Sequence, residues 1–107
     1  MTMDINGDSF EQEVVQSDKP VLVDFWGPRC GPCLALMPAV EGLEDKYGEK
    51  MKLVKLDASQ NKRFCLSLKV LSLPTYLFYK DGKEVDRLTG EELTIDDIET
   101  SLKNMIE

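Results

Sequence analysis

Between Pro20 and Gly27 the chain carries Val21-Leu22-Val23-Asp24-Phe25-Trp26, an almost unbroken apolar run rich in β-branched residues. It lacks the in-out alternation of a strand with one wet face, so it predicts a strand buried on both sides, in the middle of a sheet. A sheet covered on both faces needs helices above and below it. The flanking sequence supplies them. After Cys30, the stretch Gly31-Pro32-Cys33-Leu34-Ala35-Leu36-Met37-Pro38 continues to Tyr47, with Leu36, Val40 and Leu43 at helical spacing and Gly48 as a stop. Pro38 lies inside that helix and should kink it.

Elsewhere, residues 2–5 suit a short edge strand. Residues 8–15 read as a first helix, opened by the capping residues Asp8 and Ser9. A strand is expected over 51–57 and a helix over 59–68. Strands at 75–80 and 84–88 flank Asp81-Gly82, a hairpin signal. Thr94 caps a last helix with Ile95, Ile98, Leu102 and Ile106 on one face. The order β α β α β α β β α predicts an α/β fold with a mixed central sheet, parallel early and antiparallel in its final hairpin. No repeat, low-complexity tract or linker interrupts the 107 residues, so residues 1–107 read as a single domain.

Composition narrows the chemistry. Twenty acidic against 13 basic residues leave a net charge of −7, which disfavours nucleic acid and anionic membranes and suits a soluble monomer. No apolar run approaches the ~20 residues of a membrane span. The opening Met1-Thr2-Met3-Asp4-Ile5-Asn6 lacks the basic and apolar regions of a secretion signal, so a cytoplasmic location is expected. There is no histidine, which excludes Ser-His and Cys-His nucleophile pairs. Of the three cysteines, Cys30 and Cys33 form a Cys-x-x-Cys pair. Such a pair suits redox chemistry or half a metal site better than stapling. Zinc usually takes four ligands, and Cys65 is the one further thiol, so no metal is expected. Cys65 itself reads as a small buried hydrophobe.

The pair sits at the carboxyl end of the buried strand, where open α/β sheets place their sites. With Cys30 as N-cap, Gly31 and Pro32 fill the first helical positions, where the missing proline N–H costs nothing. Cys33 then falls in the first turn, close enough to close a small ring. Unpaired amides and the positive end of the helix dipole favour a thiolate at Cys30, and Arg29 adds a neighbouring positive charge. Lowering a thiol from pKa ~8.5 to ~7 raises its ionised share from ~3% to about half, but lost nucleophilicity cuts the net gain to about three-fold. Proximity is the larger advantage: Cys33 meets any adduct on Cys30 as an intramolecular reagent. Asp24 is a carboxylate in a buried strand, where burial raises its pKa and suits it to proton exchange near neutrality.

The run Val-Asp-Phe-Trp-x-x-x-Cys-Gly-Pro-Cys resembles the thioredoxin family, and the resemblance extends over essentially the whole chain. Phe10, Pro38, Lys55, Leu73-Pro74-Thr75, Asp81-Gly82 and Gly90 also fall at that family's spacings. It implies the thioredoxin fold and a protein-disulfide reductase acting by thiol–disulfide exchange. Cys30 would be the nucleophile and Cys33 the resolving thiol, the two forming the redox disulfide. Asp24 would assist the deprotonation of Cys33, and Lys55 would approach and tune Asp24. The resemblance further implies a cis bond before Pro74. The Leu73 backbone would pair with the substrate, on a contact face that includes Trp26, Arg29, Gly31, Pro32 and Gly90. No bound cofactor is implied; electrons come from a partner reductase, NADPH- or ferredoxin-dependent, and the partners are disulfide-containing proteins.

The chain departs from the family pattern at Arg29, where tryptophan is usual, and at Leu34, where a basic residue is usual. Thr89 and Glu91 flank Gly90 where apolar residues are common, so the contact face should be more polar, with Glu91 opposing the charge of Arg29. These changes bear on partner choice and on which reductase recognises the chain. Two other functions fit the same fold: a disulfide oxidant or isomerase, and a non-enzymatic binding module using the face around Trp26 and Pro74.

Overall fold

The structure is a computed structural model and describes residues 2–107. The run that anchors the sequence reading forms β2 (Val21–Trp26), buried at every position but the last. It pairs in parallel with β3 (Lys52–Asp57) and antiparallel with β4 (Thr75–Lys80). Outside these lie β1 (Met3–Ile5), parallel to β3, and β5 (Lys83–Thr89), antiparallel to β4. The five-stranded mixed sheet thus has the order β1-β3-β2-β4-β5.

Alternation along β2 feeds two cores. Val21, Val23 and Phe25 point to one, with Val54, Leu56, Leu77 and Tyr79. Leu22 points to the other, with Leu53, Tyr76 and Phe78, and is covered by α1 (Gly31–Tyr47) and α3 (Ile95–Ile106). Cys33, Val40 and Leu43 are the buried positions of α1, so Cys33 heads the helix face turned to the sheet. The helix runs continuously through Pro38, which leaves the Leu34 carbonyl without its usual amide donor. Gly48 does end α1, but in a right-handed conformation. Glycine is needed there because a Cβ would overlap the Glu44 carbonyl oxygen.

Two predicted helices differ from expectation. The first is a single π turn, Glu11–Val15, closed by Gln16 N donating to Glu11 O at 2.9 Å. Lys52 satisfies the Glu13 carbonyl at 2.9 Å and pairs with the Glu13 carboxylate at 2.6 Å. The cap preceding the turn is Asn6, whose Oδ1 accepts from Ser9 N at 3.0 Å while Ser9 Oγ accepts from Asn6 N at 3.1 Å. The third helix candidate breaks into a 3₁₀ turn, Ala58–Gln60, and a short α2, Lys62–Ser67. Asn61 makes the break. Its Nδ2 donates to Asp57 O at 2.9 Å and its Oδ1 accepts from Gly7 N at 3.0 Å, holding the residue at φ −141°.

At the far end of the sheet, Asp81 (φ 53°) and Gly82 (φ 79°) turn the β4–β5 hairpin, and Gly82 packs where a Cβ would come within 3.0 Å of the Val15 carbonyl. The sheet grips the end of α3 through Lys80 Nζ, which donates to Met105 O at 3.0 Å. At the start of α3, Thr94 Oγ1 accepts from Asp97 N at 3.2 Å and the Asp97 carboxylate accepts from Thr94 N at 2.9 Å. This reciprocal cap closes both amides. Thr94→Ala should cost about 1 kcal/mol in urea unfolding at neutral pH; a loss under a few tenths would mean that burial of Ile98 and Leu102 alone fixes the helix.

Candidate functional site

The site begins where β2 ends. Cys30 N donates to Gly27 O at 3.1 Å, turning the chain, and Cys30 becomes the N-cap of α1 with extended backbone angles. Gly31 and Pro32 fill the first two helical positions. Cys33 follows in the first turn, and its amide donates to Cys30 Sγ at 3.2 Å. The two cysteines are disulfide-bonded, with their Cα atoms 5.3 Å apart. Cys30 is partly exposed whereas Cys33 is fully buried, so a large disulfide substrate meets Cys30 first. One sulfur therefore faces outward at a helix N-terminus while its partner waits behind it, and that asymmetry is what a two-step exchange requires.

Asp24 is 1% exposed, and neither carboxylate oxygen has a hydrogen-bond partner among the described residues. By alternation it lies on the same sheet face as Leu22, the face covered by α1. Burial lifts its pKa to about 7, against a weaker downward pull from Lys55 and a small upward push from Glu41. Lys55 stands beside it in β3, the two being register partners. Its ammonium, however, bonds to Glu41 Oε2 at 3.0 Å and reaches Asp4 Oδ1 at 3.9 Å. Tyr76 is the register partner of Asp24 on the β4 side. Its buried hydroxyl also has no partner among the described residues, and burial followed by the Asp24 charge pushes the phenol well above its usual range. Glu41 and Tyr76 were not legible as site residues: nothing in the sequence ties a glutamate on a helix to a lysine one strand later. Alternation in 75–80 could have put Tyr76 on the face of Asp24.

The Leu73-Pro74 peptide is cis, and Pro74 is buried. Its carbonyl accepts from Gly90 N at 3.1 Å and from Thr89 Oγ1 at 3.2 Å. Thr89 Oγ1 also meets Thr75 Oγ1 at 2.8 Å and Ser72 Oγ at 3.2 Å. Thr89 thus acts as a strut under the proline loop as well as lending polarity to its surface. Gly90 has φ 124° and open space around it.

A groove of about 630 Å³ runs beside Cys30, walled on one side by Pro28 and Arg29 and on the other by the 3₁₀ turn, Lys62 and Leu73. Of the expected contact residues, Arg29 and Leu73 line it; Trp26, Gly31, Pro32, Pro74 and Gly90 do not. Trp26 is half-buried, and its indole N–H has no partner among the described residues. Arg29 makes no ion pair among the described residues, and Glu91 is exposed nearby in sequence to Gly90 rather than on this groove. Cys65 is free and buried in the other core, where burial raises its thiol pKa. No cluster of three or more potential metal ligands occurs among the described residues, and no helix among them is long and apolar enough to cross a membrane.

A buried acid titrating at about 7 instead of its ordinary 3.8 has a consequence for stability. Between those values the unfolded chain has released the proton while the folded protein holds it. Stability therefore falls as pH rises through that interval, by about 1.4 kcal/mol per unit and on the order of 4 kcal/mol in all, then levels off. Asp24→Asn cannot ionise. Its stability advantage over the wild type should grow from about pH 4 to about pH 7 and stay constant above that. Urea unfolding across the range checks this, and an advantage independent of pH would contradict the raised carboxyl.

The family model described as Thioredoxin matches residues 1–104. A thioredoxin of Acetoanaerobium sticklandii is 44% identical over 103 residues, covering 96% of this chain and 98% of the relative. A thioredoxin of Peptoclostridium acidaminophilum is 37% identical over 102 residues, covering 95% and 93%. A protein named Thioredoxin 1 from a Nostoc species is 40% identical over 86 residues, covering 80% of each. Thioredoxins are thiol–disulfide oxidoreductases that work with disulfide-containing proteins and a thioredoxin reductase. The cis bond before Pro74, the helix-capping disulfide and the mixed sheet agree with a match that covers nearly every residue, and the chain belongs to the thioredoxin family.

Proposed function

We propose that this chain works in the cytoplasm as a single-domain, monomeric reductant of protein disulfides, with Cys30 attacking and Cys33 releasing. One observation carries the division of labour: Cys30 Sγ caps α1, accepting the Cys33 amide at 3.2 Å, while Cys33 is fully buried. A thiolate at Cys30 gains from that amide and from the helix dipole.

In the first step the Cys30 thiolate attacks one target sulfur. A Cys30–target disulfide forms, and the other target sulfur leaves as a thiolate and takes up a proton. Cys33 then loses its proton and attacks Cys30 Sγ, which reforms the Cys30–Cys33 disulfide and frees the second target thiol. Two electrons pass from the protein to the target. Asp24, poised near neutrality on the face beneath α1, accepts the Cys33 proton, and Lys55 tunes it. The target chain lies along the groove beside Cys30, pairing with the Leu73 backbone before cis-Pro74. Trp26, Arg29, Gly31, Pro32 and Gly90 frame the contact. The exchange needs no bound cofactor. A partner reductase restores the dithiol, drawing on NADPH or on reduced ferredoxin.

Cys33→Ser should trap a covalent adduct with a disulfide substrate and lose roughly a hundredfold or more in turnover, because the intramolecular displacement is gone. Cys30→Ser should trap nothing; the reverse pattern would overturn the assignment. Insulin reduction supplied in parallel with dithiothreitol, an NADPH-dependent reductase and a ferredoxin-dependent reductase identifies the electron donor. Asp24→Asn should slow the release step far more than the attack, most visibly between pH 6 and 8. Equal release rates there would remove Asp24 from the mechanism.

A further inference from the structure

Lys55 begins beside Asp24 and ends elsewhere. The two are register partners across β2 and β3, so their side chains leave the same sheet face side by side. A lysine stem is long and flexible enough to bring its ammonium to either of two nearby acids. Here the ammonium bonds to Glu41 Oε2 at 3.0 Å, with Asp4 Oδ1 at 3.9 Å, and Asp24 is left without an ion pair or a hydrogen bond among the described residues. The choice has a physical reason. The Glu41 side chain is 41% exposed and keeps its contact with water, whereas Asp24, at 1% exposure, would have to carry its charge into the core.

We propose that Glu41 is a positioning residue for the release step: by holding the Lys55 ammonium at the rim of the site, it keeps that charge off the buried Asp24 carboxyl. Among the described residues, the titratable groups around Asp24 come from three elements. From β3 comes Lys55, from α1 Glu41 and the disulfide-bound Cys33, and from β4 the neutral Tyr76 hydroxyl. Asp4 of β1 approaches Lys55 at 3.9 Å, and α3 turns Ile98 and Leu102 to this core. Among the described residues, Glu41 is therefore the anion that competes with Asp24 for the lysine from the helix side. The direct effects of the two charges agree with this arrangement, since Lys55 lowers the Asp24 pKa and Glu41 raises it.

This rests on Asp24 serving the release step, and the test separates the two. Asp24 can be titrated by carboxyl carbon NMR in the oxidised protein, where neither Cys30 nor Cys33 ionises. In Glu41→Gln the midpoint should fall by about one pH unit, as an opposite charge moves toward the carboxyl and a like charge is removed. In a Lys55→Gln background the same substitution should move it by less than half as much, because the lysine it positions is gone. An unmoved midpoint in Glu41→Gln overturns the proposal, and so does an equal shift in both backgrounds, which would make Glu41 a plain distant charge. If the midpoint falls as expected but the pH profile of release in Glu41→Gln stays where it was, Glu41 positions Lys55 and the role given to Asp24 fails instead.

Discussion

Burying β2 on both faces is the constraint from which the rest of the molecule follows. A strand with Val21, Val23 and Phe25 in one core and Leu22 in the other must lie inside the sheet, with β3 on one side and β4 on the other. Its carboxyl end then emerges at the edge of two covered layers. The next helix, starting there, presents its unpaired amides to solvent beside the sheet rather than to the core. Cys30 takes one of those amides. The chemistry is thus located by hydrophobic burial, and the sulfur position is a by-product of where a dry strand has to stop.

The same burial sets the electrostatics. Asp24 interrupts an otherwise apolar strand, and its oxygens find no donor among the described residues. Such a group is normally a liability; here it leaves a buried carboxyl that titrates near neutrality. The nearest cation is diverted to a half-exposed glutamate, and a neutral phenol closes the β4 side. A tight Asp24–Lys55 pair would hold the carboxyl ionised over the same range, at the cost of carrying both charges into the core. The arrangement instead keeps a buried carboxyl able to gain and lose a proton near neutrality.

Elements with a strong period or a side-chain signature were legible in the sequence. The long β2 run, the Leu36–Val40–Leu43 period of α1, the Asp81-Gly82 turn and the Thr94 cap all appear as expected. The π turn was not, because five residues are too few to distinguish one helical period from another, and its wider closure depends on Lys52 arriving from β3. Nor was the break at Asn61, which depends on Gly7, 54 positions away. At the site, the helix cap and the disulfide pair could be read locally. The strut that Thr89 forms under the proline loop and the diversion of Lys55 to Glu41 could not, since each joins segments that only the folded sheet brings together.

The break at Asn61 also leaves α2 as a short segment packed by few side chains, with Cys65 at its centre and closed to solvent. In the oxidised protein this is the one sulfhydryl left, because Cys30 and Cys33 are joined. A thiol-modifying reagent offered to that state meets a sulfur 4% exposed, and its rate rises whenever α2 lifts from the sheet. The pace of that labelling therefore reports on the opening of a short helix that adjoins the wall of the groove beside Cys30.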